Sequence, residues 1–172
     1  MGRHGCRLLV LVSIIGAAAP AGADKRPVPM KVKGITAHQG NHAVVLVTRD
    51  GKTLLPIWIG RREAQAIQMR LSRRKAVRPQ THDLMESMLA ILGARVVRVE
   101  VDALRDGVFI GKLNLRDLRG KRYRLDGRPS DLITLSIKAK VPIHVAPAVL
   151  RQAGIEAKKP TQKPAKKKPT TL

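Results

Sequence analysis

From Met30 to Ile155 the apolar positions change period several times, and each change marks an element. Met30 to His38 predicts a strand with Val32 and Ile35 turned inward. Ala43 to Val47 is a continuous apolar run, which predicts a buried strand. Asp50-Gly51 signals a hairpin, and Thr53 to Ile59 returns as its partner, with Pro56 pushing part of that strand to an edge or a bulge. The period then becomes helical: Ala64, Ile67 and Leu71 share one face, and Leu84, Met85, Met88, Leu89 and Leu92 form the stripe of a second helix that Gly93 closes.

The second half repeats the order. Val97, Val99 and Val101 alternate with Arg98, Glu100 and Asp102, predicting a half-exposed strand. Asp106-Gly107 makes a tight turn, and Val108 to Leu115 pairs with Lys121 to Leu125 around Gly120. Leu132 to Ala139 is apolar nearly all round and predicts a buried helix. Pro142 to Val145 reads as a short strand, and Pro147 to Ala153 as a last helix before Gly154. The pattern predicts a single α+β domain, a mixed β-sheet with helices, built by internal duplication of a hairpin, helix and strand unit.

Two short segments interrupt the periodic runs. Arg78-Pro-Gln-Thr-His-Asp-Leu84 and Asp126-Gly-Arg-Pro-Ser-Asp131 each carry Arg-Pro, a small hydroxyl residue and then an aspartate before an apolar run. Proline suits the first turn of a helix, and Ser or Thr beside it is a favourable N-cap. Each segment therefore opens a helix, with an arginine and a carboxylate at the positive end of its dipole.

Composition changes the picture at the two ends. Arg3 and Arg7, the apolar run from Leu8 to Ala19 and the small residues Ala21 to Ala23 have the layout of a secretory signal peptide over residues 1–23, cut before Asp24. This predicts an exported protein, periplasmic or secreted. Cys6, the only cysteine, precedes the apolar core, so the mature chain has no thiol and no disulfide. Residues 156–172 carry six lysines among prolines and threonines and predict a disordered tail, leaving residues 30–155 as the folded domain.

The net charge is +22, and most of it lies on the body rather than the tail. Such a body predicts a polyanionic partner, unless it only reflects a composition rich in Arg, Ala and Gly. Trp58, Phe109 and Tyr123 are the only aromatics. A broad base-stacking surface is disfavoured, and recognition should fall mainly on a phosphate backbone.

Candidate chemistry follows from scarcity. Among the mature histidines, His144 sits in an apolar strand and His38 and His42 flank a loop, while His82 has an acidic neighbour at a helix start. Of the twelve acids, Glu63, Asp83, Asp126 and Asp131 lie at or near helix starts, whereas Glu86 and Glu100 fall on faces read as exposed. Carboxylates at helix starts suit a divalent-metal ligand and equally suit a cap. Phosphodiester hydrolysis needs charge neutralised at phosphorus and a means to activate water. His82, Asp83, Asp126 and Asp131 are the candidate catalytic groups, and Arg78 and Arg128 the candidate phosphate ligands. Glu63, Asp83 and Asp131 are the candidate ligands for an ion such as Mg²⁺ or Mn²⁺.

With these residues assembled, the sequence resembles the bifunctional nuclease domain family. The resemblance rests on Leu55-Pro-Ile-Trp-Ile-Gly60 with Glu63, Ala64, Ala66 and Ile67; on Arg78-Pro79 and Thr81 to Leu84; on Leu92-Gly93; and on Asp126 to Asp131 with Pro142-Ile143. It implies a compact α+β domain with an internal duplication, and a nuclease acting on DNA and RNA. The family supplies no agreed catalytic set. Two features depart from it: the leader, and Leu132 where a small residue is common after Ser-Asp. An exported nuclease of low sequence preference is thus expected, with nucleic acid as partner and no obligate small-molecule cofactor; a homo-oligomer is compatible with the sequence. The alternative is a non-catalytic module that binds polyanions.

Overall fold

The computed structural model describes residues 26–157, so the leader and the tail from residue 158 lie outside the described residues. The chain runs β1 (Val28–His38), β2 (Asn41–Thr48), β3 (Thr53–Ile59), α1 (Arg61–Leu71), α2 (Thr81–Ile91), β4 (Arg95–Arg105), β5 (Val108–Arg116), β6 (Arg122–Gly127), α3 (Pro129–Ala139), β7 (Ile143–Val145), α4 (Pro147–Ala153) and β8 (Ile155–Glu156). The strands form one mixed sheet in the order β6-β5-β4-β7-β1-β2-β3-β8. All neighbours are antiparallel except β4 and β7.

Two three-stranded meanders, β1-β2-β3 and β4-β5-β6, flank the short β7, and a helix leaves the end of each. This arrangement is the expected duplication, with one correction. The counterpart of α3 is α1, which starts directly after β3, and α2 is an extra helix between α1 and β4. The Arg78 and Arg128 segments are therefore not equivalent positions of the two units; the counterpart of Arg128 to Asp131 is Gly60 to Glu63.

Bulges explain where the strand patterns departed from strict alternation. Val32 and Ile35 both pack on the core although three residues apart, because the β1–β2 register shifts between Val32 and Gly34. On β4 the register shifts between Val96 and Arg98, so Val96 rather than Val97 joins Val99 and Val101 at the core. Both first hairpins turn on two left-handed residues, Gln39-Gly40 and Asp106-Gly107, the geometry that matches strand twist. Pro56 lies where β3 is an edge, since β8 pairs only with Thr53 and Leu54.

The core joins Val44, Leu46, Leu55 and Ile57 of the first meander to Val99, Val101, Leu113 and Leu115 of the second, with Ile67 of α1 and Leu132, Ile133 and Leu135 of α3 between. The helix α3 is buried along seven residues, and the hydroxyls of Thr134 and Ser136 bond back to the carbonyls of Ser130 and Ile133 at 2.8 Å each. By contrast α2 buries no residue fully: Met85 and Leu89 pack on the core, while Leu84, Met88, Ile91 and Leu92 stay exposed. Leu132 is accommodated because it faces two glycines, Gly111 and Gly127, at which a Cβ would come within 2.9 Å of its methyl carbons. Glu156, assigned to the tail by composition, is part of β8, and Ala157 still donates its N–H to the Lys52 carbonyl at 2.8 Å.

Candidate active site

Three helix starts meet on one side of the sheet. The helices α1 and α2 both pack against α3. Glu63 is the third residue of α1, His82 the second of α2, and Asp131 the third of α3, with Arg128 as its N-cap. Unsatisfied N–H groups and the dipoles make each start locally positive, and three together form a setting for anions.

Arg128 lies at the centre of the cluster. Its Nε and Nη2 donate to the two carboxylate oxygens of Asp131 at 2.8 and 3.2 Å, and its Nη1 donates to Glu63 Oε1 at 3.0 Å. The Asp131 hydrogen bond is the main reason that Arg128 is held more firmly protonated than a free guanidinium. Asp131 Oδ1 also lies 3.3 Å from His82 Nε2. The Arg128 side chain is 68 % exposed, whereas that of His82 is only 14 % exposed. One arginine is thus presented to solvent by two carboxylates, beside a mostly covered imidazole.

A groove of about 860 Å³ runs over this cluster and is lined by Arg62, Glu63, His82, Arg128 and Asp131. It continues past Pro79, Gln80 and His82 into a recess of about 410 Å³ that Arg74, Lys75 and Lys138 make basic. In the other direction Glu63 and Arg128 also border a recess of about 310 Å³ containing Trp58 and Phe109.

Not every residue singled out from the sequence joins the cluster. Asp83 accepts the backbone N–H of Gln80 at 2.8 Å and pairs with Arg70 at 2.9 Å. It faces the basic recess, and that backbone hydrogen bond, helped by Arg70, holds its carboxyl below the usual range. Asp126 is not at a helix start: it lies on β6, is 70 % exposed and pairs with Lys112 at 2.7 Å across the strands. It borders the groove, and its hydrogen bond goes to Lys112 rather than into the cluster. Arg78 is exposed in the segment before α2 and makes no ion pair among the described residues.

The hydroxyl residues are not the caps. Thr81 and Ser130 lie inside their helices, and the N-cap positions belong to Gln80 and Arg128. Glu86 and Glu100 are part-buried rather than exposed: Glu86 receives Arg70 at 3.1 Å, and Glu100 receives Arg98 at 2.7 Å and Arg124 at 3.0 Å. Glu63, weighed from the sequence only as a metal candidate, is the residue that ties Arg128 to the first unit. Its signal was its place directly after a strand, matching that of Asp131.

The donor set does not fit a resident divalent ion. Glu63 and Asp131 are joined through the cationic Arg128, Asp83 is engaged by Gln80 and Arg70, and among the described residues no three His, Cys, Asp or Glu side chains converge on a point.

Comparison with known proteins bears on this geometry. The Bifunctional nuclease domain profile matches residues 44–158. The chain belongs to the bifunctional nuclease domain family. An uncharacterized protein of Mycobacterium tuberculosis, Rv1829, is 36 % identical over 128 residues, which are 73 % of this chain and 76 % of the relative. Bifunctional nuclease 1 of Oryza sativa subsp. indica is 27 % identical over 124 residues, 70 % of this chain. Bifunctional nuclease 2 of Oryza sativa subsp. japonica is 26 % identical over 123 residues. The chain spans 38 % of the length of each of these rice proteins. The part matched to the bifunctional nuclease domain contains Glu63, His82, Arg128 and Asp131, so the whole cluster lies within the family's own region.

Proposed function

We propose that this protein is an exported nuclease that hydrolyses phosphodiester bonds of DNA and RNA with low sequence preference, in the groove over His82 and Arg128. The observation that carries the reading is the Arg128–Asp131–His82 chain at three converging helix starts, in a domain of a nuclease family. A phosphate entering the groove meets the exposed guanidinium of Arg128 and the positive helix ends. With Nε2–H donated to Asp131, His82 keeps its lone pair on Nδ1, and Asp131 fixes that tautomer. His82 takes a proton from water as the water oxygen bonds to phosphorus, and returns it to the ester oxygen that leaves. These groups act on the backbone alone, which supports low sequence preference. Export rests on the leader pattern of residues 1–23.

A second reading has its own observation. Arg61 and Arg62 occupy the first turn of α1, where the dipole disfavours cations, and neither makes an ion pair among the described residues. Exposed Arg74, Lys75 and Arg78 add to this face. Such a surface suits a non-catalytic polyanion-binding module. Purified protein starting at Asp24 is incubated with single-stranded DNA, duplex DNA and RNA, in Mg²⁺, Mn²⁺ or EDTA. Cleavage supports the nuclease. Salt-sensitive binding without turnover in any arm, from folded protein, overturns it in favour of the binding module.

A further inference from the structure

We infer that the recess on the far side of Arg128 is a nucleobase subsite, with Trp58 as its stacking surface, so that the preferred substrate is single-stranded. The inference rests on the nuclease reading and adds the substrate class. The sequence has three aromatic residues in all, and the fold brings two of them, Trp58 and Phe109, to one recess. They come from β3 and from the start of β5, and the chain between them supplies no such pairing. The sheet curls until the end of β3, the β4–β5 turn and the start of α3 face one another.

Trp58 is 59 % exposed, which is costly for the largest apolar side chain unless something covers it. Its neighbour in the recess, Val108, is also 59 % exposed. The recess measures about 310 Å³, within the size of small-ligand sites. Glu63 and Arg128 belong to its wall and to that of the catalytic groove alike. A phosphate on Arg128 therefore places the adjoining nucleotide at Trp58. Beyond Leu54 the outer edge of β3 has no strand partner among the described residues, which leaves main-chain groups beside the indole for a base edge.

Basic side chains continue from the opposite end of the groove, at Arg74, Lys75 and Lys138, where they follow a backbone. Phosphates on one side and a base on the other describe a strand whose bases are free to turn out. In a duplex the base would stay paired and stacked, and could not reach Trp58.

Trp58 is the only tryptophan, so its fluorescence reports this recess directly. The full chain is titrated with three labelled phosphorothioate probes that resist cleavage: an oligothymidylate, an abasic strand of equal length, and a duplex. Anisotropy of the label measures binding, and indole emission measures stacking. Oligothymidylate should quench Trp58 and the abasic strand should bind without quenching. Trp58→Ala should weaken oligothymidylate binding by about tenfold or more, from the usual worth of one base stacked on an aromatic, and leave the abasic affinity unchanged. Trp58→Phe should restore most of the loss. Equal binding of all three probes with no quenching, and no effect of Trp58→Ala, overturns the subsite while the nucleic-acid reading stands. Binding of none of them removes that reading and the subsite with it. Emission that shifts with protein concentration alone assigns the face to a second copy of this chain, and also overturns the proposal.

Discussion

Arg128 and Glu63 lie 65 positions apart in the chain, yet Nη1 of the arginine is 3.0 Å from the carboxylate of the glutamate. The contact ties the helix start of one duplicated unit to that of the other. Each unit contributes one carboxylate at the same place, the third residue of the helix that follows its meander, and a single guanidinium satisfies both. The duplication thus produces the site as well as the sheet.

The guanidinium's fork is what makes this possible, and lysine has none. Arg128→Lys keeps the charge but cannot hold Asp131 and Glu63 together while facing a phosphate. Because the side chain is 68 % exposed, the cost in stability should stay below about 1 kcal/mol. Affinity for single-stranded DNA should fall by about tenfold or more, the loss expected of a strong charged hydrogen bond. Thermal melting and label anisotropy on the same preparation separate the two effects.

Asp83 should behave differently from Asp131, although the two looked alike in sequence. Its carboxylate caps α2 through the Gln80 N–H and holds Arg70. Asp83→Asn keeps an acceptor for the Gln80 N–H and loses only the charge that meets Arg70, so it should cost less than about 1 kcal/mol and leave cleavage within a few-fold of wild type. The folded carboxyl titrates below its ordinary value of 3.8, so its contribution is complete above that pH and is lost as pH falls through the lowered value. Acid melting curves of wild type and Asp83→Asn should therefore converge as pH falls through that lowered value.

Thr53 to Ile59 and Pro147 to Ala153 fall where their periodicity put them, because local pattern and burial agree there. The α+β class and the duplication followed from the order of such runs. The bulge at Val97 and the shift at Gly34 did not, since a bulge depends on the partner strand's register. In the site, His82, Arg128 and Asp131 were singled out as types suited to phosphate chemistry, but nothing along the chain showed that they meet. That Asp83 stands apart from the cluster was not legible for a physical reason: a carboxylate at the third helical position looks the same whether it caps its own helix or faces a neighbour. Asp126 lies on a strand because β6 runs two residues further than its apolar pattern.

His144 should make stability depend on pH without taking part in the site. It is paired in register with Glu100 and part-buried on β7. Burial, helped by the nearby charge of Arg98, holds its imidazole below the ordinary value of 6.5. An unfolded chain takes up that proton more readily, so the folded state loses stability as pH falls below 6.5 towards the lowered value. Melting temperature should decline between about pH 7.5 and 5.5, and His144→Gln should flatten that decline.

Gly111 tests how the second unit is closed. A Cβ there would sit 2.6 Å from the Gly127 carbonyl oxygen, a backbone atom that can yield only by moving β6. Since Arg128 follows Gly127 directly, the displacement should reach the site. Gly111→Ala should destabilise by about 1–3 kcal/mol, the range for overpacking, and lower cleavage in the fraction that remains folded. Denaturant unfolding with a single-turnover assay checks both.

The most direct test of the site is a cleavage cycle on His82 and Asp131, with single-stranded DNA and protein shown by circular dichroism to be folded. His82→Gln removes the proposed base, and Asp131→Asn removes the carboxylate charge beside its Nε2. Each should lower the rate by about a hundredfold or more, within the range for general-base catalysis. The double variant should be little worse than the weaker single variant, because the two act as one unit. Wild-type cleavage retained by both single variants would contradict a site at His82 and Asp131.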